Sequence, residues 1–444
     1  MNDLFLERMK KDLKEDFATF EKSLEQPMYK GLSYHPKKIT EDKLKANTPV
    51  LDHSPFYSYG YYIDRSLGNH PYHIAGAFYL QEPSASSAVT VLDVQPTDTV
   101  LDLCAAPGGK SSQILSQLTD GFLVTNEYDG KRARVLLSNL ERMSAQNFCL
   151  TQGDTKVVCE ELASCFDRVL VDAPCSGEGM MKKHDAAQDN WSLENVHQCA
   201  LRQAYILDQA YKALKKGGYM VYSTCTYAKE ENEETIAAFL KRHPDMRQVD
   251  PEVTFGQKGF STPGMDANKV VRIFPMQKGE GHFICKMQKM QGDIKELPVK
   301  KVSKKDQNLD FLHEFIVHIP KYGYWKENDL YCMDHPFLEL KKTHCLRQGI
   351  FAGSNIKKRF EPAHALFMAF PKENYRQSIE LDLKQMDDVM HGLQIPYKSE
   401  KGYTCYCIDG IPFGFGKSDG QRINNRIPKG LRLLPKSHVT KGDF

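Results

Sequence analysis

The chain has 444 residues, 41% hydrophobic and 26% charged, with a net charge of +2, and this length predicts roughly two to three domains with a core in each. No apolar run approaches the roughly twenty residues that span a bilayer, and the charged opening MNDLFLERMKKDLKED lacks the apolar stretch of a secretion signal. Twelve cysteines include no CxxC pair, which argues against a zinc site or a disulfide framework and for a reducing, cytoplasmic setting.

Charge is unevenly spread. Residues 292–444 carry 25 Lys and Arg against 19 Asp and Glu, leaving 34 against 38 for the rest. The tail Lys417 to Phe444 has seven basic and two acidic residues, a balance that suits an anionic polymer or an ordinary solvated basic surface.

In chain order, Phe5, Met9, Leu13, Phe17, Phe20 and Leu24 recur at steps of three and four, so an amphipathic helix is expected to open the chain. The stretch Pro27 to Tyr62, rich in Pro, Tyr and Gly, is too irregular to assign. From about Gly76 strands and helices alternate. Strands are expected at Val100–Leu103, Phe122–Asn126, Phe148–Gln152, Val169–Val171, Tyr219–Tyr222 and His282–Lys286. Helices are expected at Ser111–Leu118, Lys131–Ala145, Leu193–Leu214 and Glu230–Arg242, with Gly217 and Gly218 as a helix stop. This alternation predicts an α/β fold with a mostly parallel, doubly wound sheet. The polar run Lys300–Gln307 reads as a linker, followed by smaller α/β or mainly β modules around 311–331, 347–369 and 403–434. The implied division is a helical N-terminal region over 1–75, the main domain over 76–290, an intermediate module over 300–390 and a last module over 391–444.

Candidate chemistry gathers at the strand ends. VLDLCAAPGGK, Val100 to Lys110, is a strand, a turn of small residues and a helix start, where backbone N–H groups approach a ligand closely. It lacks the GxGxxG and GxxxxGK[ST] spacings, which weakens dinucleotide and phosphate-loop readings. Glu127 ends the second strand, where a carboxylate can accept both hydroxyls of a ribose. The third strand leads to Asp154 and the fourth to Asp172, so three acids line one edge. An adenosine with a cationic tail suits them better than a pyrophosphate. Cys175 in DAPCSG and Cys225 in YSTCTY each follow a strand, so two thiols converge on the same edge, although buried cysteines usually pack as small hydrophobes.

The segments CAAPGGK, NE, GD, DAPCSG and STCTY, in this order and spacing, resemble the bacterial RNA cytosine-5 methyltransferases of the NOL1/NOP2/Sun family, and within it the RsmF type that modifies 16S rRNA. The resemblance covers about 79–287, includes YLQEPSAS from Tyr79 to Ser86, and extends more loosely to a PUA-like RNA-binding module over 403–434. It implies a Rossmann-like class I methyltransferase domain using S-adenosyl-L-methionine, held by Cys104, Ala105, Ala106, Pro107, Gly108, Gly109 and Lys110, with Glu127 on the ribose, Asp154 on the adenine amino group and Asp172 between the methionine end and the base. Lys131 and Arg132 stand close enough to line that pocket. The resemblance also implies Cys225 as nucleophile and Cys175 as second catalytic cysteine; Lys110, at the mouth of the cofactor loop, suits a role in holding Asp172 ionised or lowering a thiol's pKa, or that of an ordinary surface lysine. The implied substrate is a cytosine of 16S rRNA or the small ribosomal subunit, with the base out of its stack, and nothing demands more than a monomer. Tyr227 and the MMKKH segment, Met180 to His184, follow the two cysteines and are candidates to touch the flipped nucleotide or its phosphates, with a solvated loop the favoured role for the lysines; Phe413, Phe415, Lys417, Arg422, Arg426 and Arg432 suit RNA contacts, with core packing as the alternative for the two phenylalanines.

Three other readings compete. A DNA cytosine-5 methyltransferase would use a cysteine after proline, as in Pro174-Cys175, but the second thiol and the basic tail argue for RNA and against DNA. A non-catalytic RNA-binding assembly factor would not need every motif residue, and an NAD-dependent oxidoreductase would need a different loop.

Overall fold

The computed structural model describes residues 2–182, 191–302, 308–357 and 359–442. Lys183 and His184 of the MMKKH segment, and positions 303–307 of the expected linker, lie outside the described residues.

The amphipathic start is two helices, Asp3–Leu13 and Phe17–Leu24, broken by a turn at Lys14–Asp16 where Lys14 takes a φ of 50°. The apolar stripe survives the break. Phe5, Met9, Leu13 and Phe20 are buried against Trp191, Tyr227 and Phe274. The stretch that periodicity left unassigned contains β1 (Lys30–Tyr34), the helix Glu41–Asn47 and β2 (Gly60–Ile63). With β3 (Phe78–Gln81) they form an antiparallel sheet in the order β2-β1-β3.

Five parallel strands make the central sheet: β4 (Thr99–Asp102), β5 (Phe122–Glu127), β6 (Phe148–Gln152), β7 (Phe166–Asp172) and β8 (Leu214–Thr224), in the order β8-β7-β4-β5-β6. Their apolar runs are continuous because helices cover both faces, and Leu101, Val124, Leu150, Val169, Leu170 and Tyr222 are fully buried. The chain winds from β4 to β6 in one direction and then places β7 on the other side of β4. The crevice between the ends of β4 and β7 is therefore the switch point where open α/β sheets bind ligands. Beyond β8 the sheet continues with antiparallel strands, β9 (Met246–Val249), β10 (Val270–Ile273) and β11 (His282–Lys289).

Gly217 and Gly218 do not stop the preceding helix. The helix Leu193–Ala213 ends at Leu214 in extended backbone, and both glycines lie inside β8, where its register with β7 shifts. Gly217 has a φ of 81°, and a Cβ on Gly218 would sit 3.0 Å from the Asp167 carbonyl, so the irregularity itself needs glycine.

The C-terminal part is joined to the core through the sheet. Strands β12 (Tyr322–Lys326) and β13 (Asp329–Met333) start a second sheet, and β14 (Cys345–Gln348) leaves it to pair antiparallel with β6. The chain then returns through β15 (Ile350–Ile356) and β16 (Arg359–Pro362) to complete the order β12-β13-β15-β16. A last sheet is built from β17 (Ser378–Glu380), β18 (Ile395–Pro396), β19 (Gly402–Ile408), β20 (Ile411–Ser418) and β21 (Arg422–Asn425), in the order β17-β19-β20-β21-β18. It begins at Ser378 and so draws on both sides of position 391. Among the described residues no helix is long and apolar enough to cross a membrane.

Candidate active site

Cys175 follows β7 and Cys225 follows β8, and because these strands are parallel neighbours their ends bring the two sulfurs to 3.3 Å, both as free thiols. Two thiols this close do not both ionise readily. The hydrogen bond with the Cys225 sulfur, and then burial, push Cys175 well above the ordinary thiol range, so Cys175 keeps its proton.

Asp172, the last residue of β7, stands beside them. Its Oδ2 accepts from Lys110 Nζ at 2.8 Å and its Oδ1 from the Ser223 hydroxyl at 2.7 Å. Burial pushes this carboxyl up, but the Lys110 ammonium and these hydrogen bonds outweigh it and hold Asp172 below its usual range. Lys110 is raised in turn, because its pairing with Asp172 outweighs burial. Both groups are therefore charged, and their geometry is locked from two sides.

Two buried glutamates cross-link the cysteine loops. Glu178, three residues after Cys175, accepts the Tyr227 amide at 2.9 Å on the other loop and the Trp191 indole at 2.8 Å. Glu231, on the Cys225 side, accepts the Ser176 amide at 3.0 Å, the Ser176 hydroxyl, and Gln203 Nε2 at 2.7 Å. Gly179 donates to the Cys225 carbonyl at 2.9 Å, and a Cβ there would lie 2.7 Å from the Glu280 carbonyl. Burial raises both glutamates. Neither residue stands out in the sequence, because each acts through a partner some fifty positions away.

The loop after β4 turns between β5 and the helix Gly109–Gln117. Gly108 has a φ of 111°, and a Cβ on Gly109 would lie 2.5 Å from Gln81 Oε1 and 2.9 Å from the Tyr79 ring, so the YLQEPSAS segment backs this loop. Ala105 N donates to the Asn126 carbonyl at 3.0 Å, and Asn139 holds the Pro107 carbonyl at 2.9 Å. Glu127 is buried at the end of β5, where its Oε2 accepts the Ala106 amide at 3.3 Å. Arg132 bonds the Ala106 carbonyl at 2.9 Å and lies 3.6 Å from Glu127, whereas Lys131 is exposed at the start of its helix. Burial, then the charges of Asp102 and Glu127, push the Cys104 thiol well above its usual range.

The sequence reading passed over Asp102. It ends β4, is 1% exposed, and accepts from Ser111 Oγ at 2.6 Å, while its Oδ1 accepts nothing among the described residues. Burial, with Asp172 and Glu127 nearby, raises its carboxyl to about 7. The signal was its place inside VLDLCAAPGGK, one more strand ending in an acid.

Other expected residues stand at the rim of the crevice or outside it. Asp154 is exposed on the rim, where it caps the helix Thr155–Glu161 through Lys156 N at 2.8 Å and accepts from the Tyr205 hydroxyl at 2.9 Å. Tyr227 does not face the crevice. Its ring stacks on Phe274 with centroids 5.3 Å apart, and its hydroxyl donates to the Glu280 carbonyl at 2.6 Å. Phe413 and Phe415 are core residues, while Lys417 lies 4.6 Å from the centre of the Tyr403 ring and Arg422 pairs with Asp419.

A doubly wound sheet with two thiols, an ion pair and a row of buried acids at its switch point has close counterparts. A family model described as 16S rRNA methyltransferase RsmB/F matches residues 89–288, so the class is that of methyltransferases of 16S rRNA. Models for the RsmF N-terminal domain, first C-terminal domain and PUA domain match residues 1–83, 310–370 and 376–433. Ribosomal RNA small subunit methyltransferase F of Vibrio cholerae is 30% identical over 93% of this chain and 93% of its own length; that of Shewanella woodyi is 29% identical over 97% and 96%. The chain belongs to the ribosomal RNA small subunit methyltransferase F family. Among solved structures, a methyltransferase homologue from Pyrococcus horikoshii superposes with a TM-score of 0.58 at 26% identity, over 65% of this chain and 95% of that one. NSun6 from the same organism shares the fold, with a TM-score of 0.58 at 22% identity over 66% and 99%.

Proposed function

We propose that this protein transfers a methyl group from S-adenosyl-L-methionine to carbon 5 of a cytosine in 16S rRNA, through a covalent bond between Cys225 and carbon 6 of the base. The observation that carries this reading is the 3.3 Å approach of the two thiols beside an ionised Asp172.

The donor set fits a cationic nucleoside. Asp102, Glu127 and Asp172 place three acids around one loop, the buried Asp102 Oδ1 has no donor among the described residues, and the left-handed turn at Gly108 lets backbone approach a ligand. Residues Cys104 to Lys110 would embrace the cofactor, with Glu127 on the ribose hydroxyls, Asp154 on the adenine amino group and Asp172 towards the methionine end. When bound, S-adenosyl-L-methionine supplies an electrophilic methyl group on a positively charged sulfur.

Carbon 5 of cytosine is a weak nucleophile; as the Cys225 sulfur adds to carbon 6, its proton passes to the ring nitrogen N3 and the ring becomes enamine-like. Cys175 stays protonated and offers its S–H to the Cys225 sulfur, so the two thiols take different roles. Asp172, oriented by Lys110 and Ser223, accepts N–H groups on the polar edge of the base and favours the protonated, electrophilic ring. Cys175, 3.3 Å from the Cys225 sulfur, gives its own proton to solvent and takes the proton on carbon 5; the released electron pair re-forms the ring double bond and expels the Cys225 sulfur as thiolate. Glu178 and Glu231 hold the loops so that one base can meet both sulfurs, Cys225 at carbon 6 and Cys175 at the proton on carbon 5.

Replacing Cys225 with Ala is expected to abolish methyl transfer to 16S rRNA while cofactor binding persists. Cys175→Ala is expected to accumulate a protein–RNA adduct that survives denaturing electrophoresis and is absent from the double variant. Turnover by the Cys225 variant would reject the assignment. Methyl transfer at a position other than cytosine carbon 5, mapped by bisulfite sequencing, would reject the chemistry.

A further inference from the structure

Where the sheet begun by β12 and β13 meets the strand β14, a groove of about 400 Å³ opens, lined among others by Tyr324, Tyr331, Lys300, Lys326, Lys341 and Arg347. Tyr324 and Tyr331 are direct cross-strand partners and so stand on one face of the sheet, both half-exposed, with Phe351 next to Tyr331 at a ring separation of 5.5 Å. Cations lie over these rings. Lys300 Nζ is 3.7 Å from the centre of Tyr324, and the Arg347 guanidinium is 5.5 Å from Tyr331.

Among the described residues Glu339 is the only acid lining the groove, and Glu141 from the core pairs with Arg347 at 2.7 Å. Among the described residues, no ion pair involves Lys300, Lys326 or Lys341, so three ammonium groups surround two half-open rings. A protein partner would leave such rings under apolar side chains, whereas stacked bases with phosphates alongside match both features together. Location favours the same occupant. Strand β14 runs antiparallel to β6, Cys345 opposes Thr151, and the His344 carbonyl accepts the Gln152 amide, so one end of the groove is level with the edge of the sheet that carries the thiols.

We infer that this groove binds an unpaired stretch of the rRNA substrate, with bases taking the faces of Tyr324 and Tyr331 that Lys300 and Arg347 now cover, and with phosphates on the displaced Lys300 and on Lys326 and Lys341. The inference rests on the RNA methyltransferase reading above and assigns part of its substrate recognition to the first C-terminal module.

The test uses the full-length protein and naked 16S rRNA, with Kd measured across a range of salt concentrations. A triple Lys300→Gln, Lys326→Gln, Lys341→Gln variant is expected to raise Kd about tenfold and to flatten the log–log salt slope by about 2, from roughly 0.7 per single-strand phosphate contact. Tyr324→Ala is expected to raise Kd by about tenfold, and Tyr324→Phe to restore binding, since the phenyl ring still stacks. Thermal unfolding checks each fold, and the lysine variant changes only side chains at the groove surface. If the wild type methylates 16S rRNA while the lysine variant keeps its affinity and slope, the groove assignment falls alone. If the wild type neither binds nor methylates 16S rRNA, either naked or in the small subunit, the proposed function falls and takes this with it. Variants that bind naked RNA normally but lose the assembled small subunit would assign the groove to a ribosomal protein and overturn the RNA occupant.

Discussion

At the scale of single residues, the site is organised by which groups hold charge and which are kept neutral. Asp172 is held ionised by Lys110 and Ser223, whereas Asp102, one strand away and without a cation in contact, is raised to about 7 by burial. A carboxyl raised from its ordinary 3.8 contributes stability that is complete below that value and is lost as pH climbs through about 7. Asp102→Asn, isosteric and uncharged, is therefore expected to flatten the fall in Tm of the cofactor-free protein between about pH 4 and 7. Calorimetric scans across that range check it, and an unchanged slope would place the titration elsewhere. The two cysteines and the ends of β5 and β7 were legible because motif and strand end coincide. Asp102 was not, because a buried acid inside an apolar run looks like an interruption until its neighbours are known.

At the scale of elements, the parallel strands were legible because burial on both faces writes continuous apolar runs, and every expected core strand is present. The antiparallel β1 and β2 were missed. Their tyrosines and glycines pack on one another and on β3, a long-range pairing that local periodicity does not record. Pattern also could not reveal the exchange of hydrogen bonds between the cysteine loops, since Glu231 and Ser176 meet only once β7 and β8 are side by side. Removing that tie should loosen Cys175 relative to Cys225, and a misplacement near 1 Å costs about 100-fold in rate. Glu231→Ala is expected to lower kcat by between about 10- and 100-fold with little change in KM, and to accumulate a partial covalent adduct as Cys175→Ala does. A fall in activity without adduct would assign Glu231 to folding alone.

At the scale of the whole molecule, the C-terminal region completes the catalytic sheet. Strand β14 covers the open edge of β6, and Ser144 and Gln146 of the core bond the carbonyls of Met368 and Ala369, the latter at 2.6 Å. The linker composition at Lys300–Gln307 had suggested separable units, because composition records solvation and not the strand that comes back forty residues later. A chain ending at residue 290 would leave the N–H and C=O groups of β6 unpaired at an exposed edge, a template for association. Light scattering should find that fragment self-associating at concentrations where the full chain stays dispersed. A monodisperse fragment would show that β14 is dispensable for solubility.

The pairing of β14 with β6 also turns the protein into a gauge. A reader of RNA joined to the chemistry by a loose tether would accept targets at many distances, but one woven into the same sheet holds a constant span between the docked strand and the thiols. With RNA docked as inferred above, selectivity becomes partly a matter of length: among chemically equivalent target bases, the one expected to be methylated is the one whose separation from the docked segment equals the width of the sheet between β6 and β8. Inserting nucleotides between those two parts of the RNA should move the mark to another cytosine or erase it, while the affinity for the RNA is retained.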